Sequence, residues 1–129
     1  GIQGSFVFGY DWDDAGSFDR VQEFCDRTRL DSAFFTLLTP FPGTRVYDRM
    51  VADGRLTTRD WSRYDMSHVV FKPAKMTEEQ LLERFQELYR SFYSVRSLLW
   101  RLPFARRAQV FLPMNWGFHR AWKRAFAVA

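Results

Sequence analysis

A chain of 129 residues, 47% hydrophobic and 19% aromatic, can bury one core, and its single cysteine excludes an intramolecular disulfide or a cysteine-rich metal site. No apolar run approaches the roughly 20 residues of a membrane span, and no signal-peptide pattern is present, so a soluble, cytoplasmic domain is expected. Charge is uneven: residues 1–95 hold all 15 acidic and 12 basic residues, whereas residues 96–129 hold 7 basic residues and no acid.

Taken in order, Ile2–Phe8 reads as a strand buried on both faces, ended by Gly9 and followed by the polar loop Tyr10-Asp11-Trp12-Asp13-Asp14. An amphipathic helix is predicted from about Ser17 to Arg29, with Phe18, Val21, Phe24, Cys25 and Thr28 on one face and Asp14 and Ser17 as caps. Ala33–Thr39 is too short for a helix and lacks alternation, so it reads as a second buried strand. Together these make one βαβ unit. Pro40 and Pro42 stop the second strand, Gly43 permits a turn, and Thr44 caps a short helix to Ala52 that carries Val46, Tyr47, Met50 and Val51.

Residues 55–76 read as irregular, with His68–Phe71 as a short strand and Trp61 and Tyr64 pinning the loop. Thr77-Glu78-Glu79-Gln80 is a capping box, and Leu81, Phe85, Leu88, Phe92 and Val95 follow at helical spacing, which predicts one long helix to Arg101. Two further helices, Phe104–Leu112 and Asn115–Phe126, are expected on either side of Pro113.

Three stretches could carry chemistry. The carboxyl end of the second strand, Leu37–Thr44, is where parallel α/β folds bind ligands; from its residues alone it reads first as a rigid strand-to-helix elbow with no ligand. Asp11, Asp13 and Asp14 suit a hydroxyl, an amine or a hard cation, or simply cap the next helix. His68 and His119 have no partner at ligand spacing, and no Ser-His-Asp signature, Walker loop or dinucleotide fingerprint is present. The tail, residues 96–129, interleaves Trp100, Phe104, Phe111, Trp116, Phe118, Trp122 and Phe126 with its positive charges. It reads as core aromatics with solvated arginines, as a membrane-surface contact, or, less well, as a nucleic-acid contact.

Gly4–Asp13 followed by a helix, then Leu38-Thr39-Pro40-Phe41-Pro42-Gly43-Thr44, Gly54-Arg55-Leu56 and Asp60-Trp61, resembles the last part of radical S-adenosylmethionine enzymes that carry a cobalamin-binding domain. The first stretch is similar to that family's fifth barrel strand and glycine-acid loop, the second to its sixth strand and turn. Residues 60–101 resemble its helical C-terminal extension. The family more often has Pro and Gly where this chain has Asp11 and Trp12.

The resemblance implies an α/β chain in two parts. Residues 1–54 would be a βαβ piece of a partial TIM-type barrel, and residues 55–129 a mostly helical extension with the basic aromatic tail. Gly9 and Asp13 would lie near S-adenosylmethionine, and Thr39, Pro40 and Pro42 would line its side of the barrel mouth. The iron–sulfur cluster and cobalamin would be held elsewhere in a longer parent, an oxidoreductase or methyltransferase, with none of these cofactors bound by this chain alone. Cys25 does not match the cluster motif. Expected partners are the rest of that parent, a second copy of the chain or its own helices over the unpaired sheet, and a membrane surface at residues 96–129. The alternative from another class is an independent membrane-surface or nucleic-acid-binding module in which residues 1–76 are scaffold.

Overall fold

The computed structural model describes residues 1–105 and 107–126. In chain order it contains β1 (Gln3–Phe8), α1 (Ala15–Thr28), β2 (Ser32–Leu37), α2 (Arg45–Ala52), α3 (Glu78–Phe92), α4 (Val95–Arg101) and α5 (Ala108–Phe126), with 3-10 turns at Trp61–Arg63 and Leu102–Phe104. The fold is α/β: a parallel two-stranded sheet, Gln3 opposite Ser32 through Phe8 opposite Leu37, in a mostly helical chain.

Register sorts the side chains into two faces. Gly4, Phe6 and Phe8 share a face with Ala33, Phe35 and Leu37, and this face carries the core. Phe8 stacks on Phe18 of α1 at 4.2 Å, while Tyr89 and Phe92 of α3 meet Phe35 edge-on at 5.1 and 5.6 Å. Each such buried ring contributes about 1.5–3 kcal/mol. The opposite face departs from the expectation of burial on both sides, because Gln3, Ser5, Val7 and Phe34 are exposed there. On the same face Ser32 and Thr36 are buried, and Phe34 lines a cavity with Met66 and with Phe118 and Trp122 of α5.

The two edges of the sheet differ. Ala33, Phe35 and Leu37 turn their backbone groups away from β1. The Tyr93 hydroxyl donates to the Ala33 carbonyl and accepts from its N–H, and the Tyr89 hydroxyl does the same at Phe35, donating at 2.9 Å and accepting at 3.3 Å. Leu37 N–H donates to the Met66 carbonyl at 2.8 Å. One helix thus closes a strand edge with two hydroxyls one turn apart, and a loop closes the rest. On β1, Gln3, Ser5 and Val7 point their backbone groups outward, and no backbone or side-chain partner meets them among the described residues.

Several boundaries differ from expectation. The stripe on α1 is narrower than predicted: Phe18 and Cys25 are buried, Phe24 and Thr28 exposed. Only Met50 of the α2 stripe is buried, with Val46 and Val51 exposed. His68–Phe71 forms no strand, only an isolated bridge between Leu56 and Phe71, although Val69, Val70 and Phe71 enter the core. The long helix breaks after Phe92 because Ser94 accepts from Ser97 N–H and caps a new helix, α4, while Tyr93 is held at the strand edge.

Conversely, Pro113 lies inside one continuous helix, α5, instead of separating two. Phe111, Asn115 and His119 are buried on that helix, and their packing holds it together across the missing N–H. Asn115 donates to the Asp31 carbonyl at 3.0 Å and His119 to the Tyr93 carbonyl at 2.6 Å. Beneath them lies Arg101, 2% exposed, whose guanidinium donates to the carbonyls of Leu30, Asp31, Ser97 and Phe92 and stacks 3.8 Å from the Phe92 ring. Its partners are all neutral oxygens; burial pulls its pKa below the ordinary value.

Candidate functional site at the carboxyl end of the sheet

Two loops leave the carboxyl ends of β1 and β2 side by side, joined by Leu38 N–H donating to the Phe8 carbonyl at 2.8 Å. Gly9 takes φ +107, in the left-handed region, and a Cβ there would lie 2.8 Å from the buried Phe71 ring. Both backbone and packing therefore demand glycine. Asp13 then folds the loop back: its Oδ2 accepts from Gly9 N–H at 2.9 Å and Tyr10 N–H at 3.0 Å. Its Oδ1 makes no hydrogen bond among the described residues.

The other two carboxylates of the cluster have separate tasks. Asp11 pairs with Arg55 at 2.8 Å and Arg49 at 3.6 Å, tying the first loop to the end of α2. The Arg55 guanidinium beside it holds the Asp11 carboxyl below its ordinary range. Asp14 is the N-cap of α1, with its N–H donating to Ser17 Oγ at 3.1 Å, and it pairs with Arg20. Trp12, in the same loop, is exposed and stacks on Tyr10 at 4.7 Å.

On the second loop, Thr39 is nearly buried and donates to the Leu37 carbonyl at 3.2 Å. Pro40 is fully buried, whereas Pro42 is exposed. Gly43 at φ +83 turns the chain into α2, where Thr44 accepts from Tyr47 N–H at 3.2 Å. Gly9, Asp13, Thr39 and Pro40 thus gather at one end of the sheet, with Pro42 further out on the turn. In this chain Gly9, Thr39 and Pro40 shape the backbone. The free oxygen of Asp13 is the polar group of this set that can receive a hydroxyl or an amine.

A further pair escaped the sequence reading. Asp65 accepts from His68 Nδ1 at 2.9 Å and from the backbone and hydroxyl of Ser67, so the outer nitrogen of His68 is left to solvent. Burial pushes the Asp65 carboxyl up, but these hydrogen bonds outweigh it and hold the pKa at about 2. Met66 between them takes φ +64, uncommon for a side-chain-bearing residue. An Asp three residues before a His was the signal, and it is weak without a fold to place it.

Cys25 is fully buried on α1, its thiol pushed up to about 12 by burial, which makes it a core filler. No group of three His, Cys, Asp or Glu side chains that could hold a metal occurs among the described residues. The residues present do not fit an iron–sulfur cluster, whose three cysteines have no counterpart in a chain with one.

The chain is 37% identical over 115 residues, 89% of its length, to a bacteriochlorophyllide d C-12(1)-methyltransferase of Chlorobaculum tepidum. It is 28% identical over 76% of its length to the bacteriochlorophyllide d C-8(2)-methyltransferase of the same organism, and 32% identical over 70% to an uncharacterized methyltransferase of Pyrococcus horikoshii. It spans 23%, 24% and 20% of those relatives, respectively. No solved structure matches it. Residues 44–116 match the family described as domain of unknown function (DUF4070). The chain belongs to that family, a domain found C-terminal to the radical S-adenosylmethionine domain in such enzymes.

Proposed function

We propose that this chain is the C-terminal section of a radical S-adenosylmethionine methyltransferase with a cobalamin-binding domain. Residues 1–54 supply the last strands of a partial TIM-type barrel, and residues 55–129 supply its helical extension. The observation that carries this reading is the asymmetry of the sheet. The outer edge of β2 is closed by Tyr93, Tyr89 and the Met66 carbonyl, while the outer edge of β1 is open. Such a sheet can grow on the β1 side alone, as the terminal strand pair of a larger barrel would.

In that setting the exposed face bearing Gln3, Ser5, Val7 and Phe34 lines the barrel interior, and the loops at Gly9–Asp13 and Thr39–Pro42 stand at its mouth. Asp13 holds the first loop by its Oδ2 and offers Oδ1 to a hydroxyl or amine of the bound cofactor. Thr39 and the buried Pro40 fix the second loop, and the Asp11 pair with Arg55 locks the two loops together. S-adenosylmethionine, an iron–sulfur cluster and cobalamin would supply the radical and methyl-transfer chemistry in the longer parent, with the cluster and cobalamin held outside this chain. The resemblance to bacteriochlorophyllide methyltransferases makes a large, flat, apolar substrate the class to try first.

The test starts upstream of Gly1. The coding sequence there should encode three closely spaced cysteines, and the protein containing them and this chain should form 5′-deoxyadenosine after anaerobic reconstitution. Asp13→Ala should weaken S-adenosylmethionine binding to that protein about ten- to a hundredfold, in keeping with a lost hydrogen bond to a charged group of about 1.5–3 kcal/mol. Absence of the cysteines overturns the reading.

A further inference from the structure

The strongest unexplained feature is an apolar surface at the opposite end of the sheet from the two mouth loops. Leu99 and Trp100 of α4, Phe104 of the following turn, and Val110, Leu112 and Trp116 of α5 are each between 46% and 63% exposed. Trp100 and Phe104 lie 6.4 Å apart on one side, and Leu112, Pro113 and Trp116 line a neighbouring groove with Leu98 of α4. Arg101 and Asn115 fasten this surface to the chain entering β2 through the Leu30 and Asp31 carbonyls. These bonds anchor α4 and α5 to the start of β2.

Positive charge surrounds it. The Arg29 guanidinium lies 3.7 Å from the Phe104 ring centre and 5.9 Å from that of Trp100. Arg96 lies beside Trp100, and Arg107 precedes α5. Asp26 shares the groove of Arg96 and Trp100, and Asp31 accepts from Ile2 N–H at 2.7 Å; beyond these, no acidic residue follows Glu87 in the chain. Arg106, counted in the basic tail, lies outside the described residues.

We propose that this α4–α5 face docks on an anionic lipid bilayer. Trp and Phe rings would sit at the headgroup level, Leu and Val side chains just below it, and the arginines against lipid phosphates. Charge decides between occupants: a second copy would bring the same positive rim against this one, and a nucleic acid would gain nothing from exposed Leu99, Val110 and Leu112. No helix among the described residues is long and apolar enough to cross a membrane, so the contact is with the surface.

Co-sedimentation of the chain with vesicles of equal parts phosphatidylcholine and phosphatidylglycerol tests it, against phosphatidylcholine alone. Binding to the anionic vesicles is expected, weakening with salt. It should fall about tenfold or more in a Trp100→Ser, Phe104→Ser double variant and in an Arg96→Gln, Arg107→Gln double variant, both retaining the parent circular dichroism. The second pair leaves every apolar side chain in place and guards against misfolding of the first. No binding to anionic vesicles overturns the proposal, as does binding unchanged in both variants. Self-association abolished by the Trp100 and Phe104 changes, without vesicle binding, would show the face to be a contact between copies and overturn it equally.

Discussion

Tyr89 and Tyr93 show what a single hydroxyl can do for a strand edge. Each satisfies one donor and one acceptor of β2 that would otherwise be buried without a partner. Replacing either by Phe keeps the ring and removes the hydroxyl, leaving two backbone groups unpaired at a cost of about 1–3 kcal/mol. Tyr93→Phe should be the more damaging in urea unfolding, because Tyr93 is wholly buried and Tyr89 partly so; equal or negligible losses would contradict the edge-closing role. Asp65 gives a pH signature. Its carboxyl is held at about 2, below the ordinary value, so its stabilising contribution is complete above about pH 4 and fades as pH falls towards 2. Because the carboxylate is 44% exposed, that contribution is expected to stay under about 1 kcal/mol. Thermal melting of Asp65→Asn between pH 5 and 2 should therefore be less stable than the parent at pH 5 and converge with it at pH 2.

At the scale of elements, the βαβ unit was legible because its signals are local: apolar runs ended by Gly9 and Pro40, and a helix with Asp14 and Ser17 at its start. The α3–α4 boundary was not, because Phe92 and Val95 continue the helical spacing of apolar residues, and the break depends on Ser94 capping and on Tyr93 reaching a strand 60 residues away in sequence. Amphipathic spacing cannot distinguish a tyrosine that faces a core from one that hydrogen-bonds a strand edge. In the loop after β1, Asp13 was visible as an acid after Gly9, while its grip on two backbone N–H groups needed the loop's geometry. Pro113 erred in the other direction, since a local helix breaker was overridden by Phe111, Asn115 and His119 packing on either side of it. That override implies stored cost. Pro113→Ala should restore the backbone bond towards the Gln109 carbonyl and raise stability by up to about 3 kcal/mol, read as a higher urea midpoint with increased helical circular dichroism. A loss of stability would mean that the proline ring's own contacts outweigh the missing bond.

For the whole molecule, the open edge of β1 matters most. Its outward-facing backbone groups at Gln3, Ser5 and Val7 form a template for another strand, and the adjoining exposed face carries Val7 and Phe34. Within a barrel the preceding strand would occupy that edge; for the chain by itself, a second copy is the available substitute. We therefore expect concentration-dependent self-association in sedimentation velocity. Ser5→Pro removes one outward N–H without touching the β1–β2 ladder, whose bonds on β1 come from the even-numbered residues, as Phe8 accepting from Leu38 shows. That variant should melt near the parent temperature yet remain monomeric. The Trp100→Ser, Phe104→Ser variant should associate as the parent does, because its surface lies at the far end of the sheet. A parent chain that stays a monodisperse monomer would show that the edge is tolerated unpaired, and would remove self-association from the account while leaving the sealed edge of β2 to explain why the sheet can extend in one direction alone.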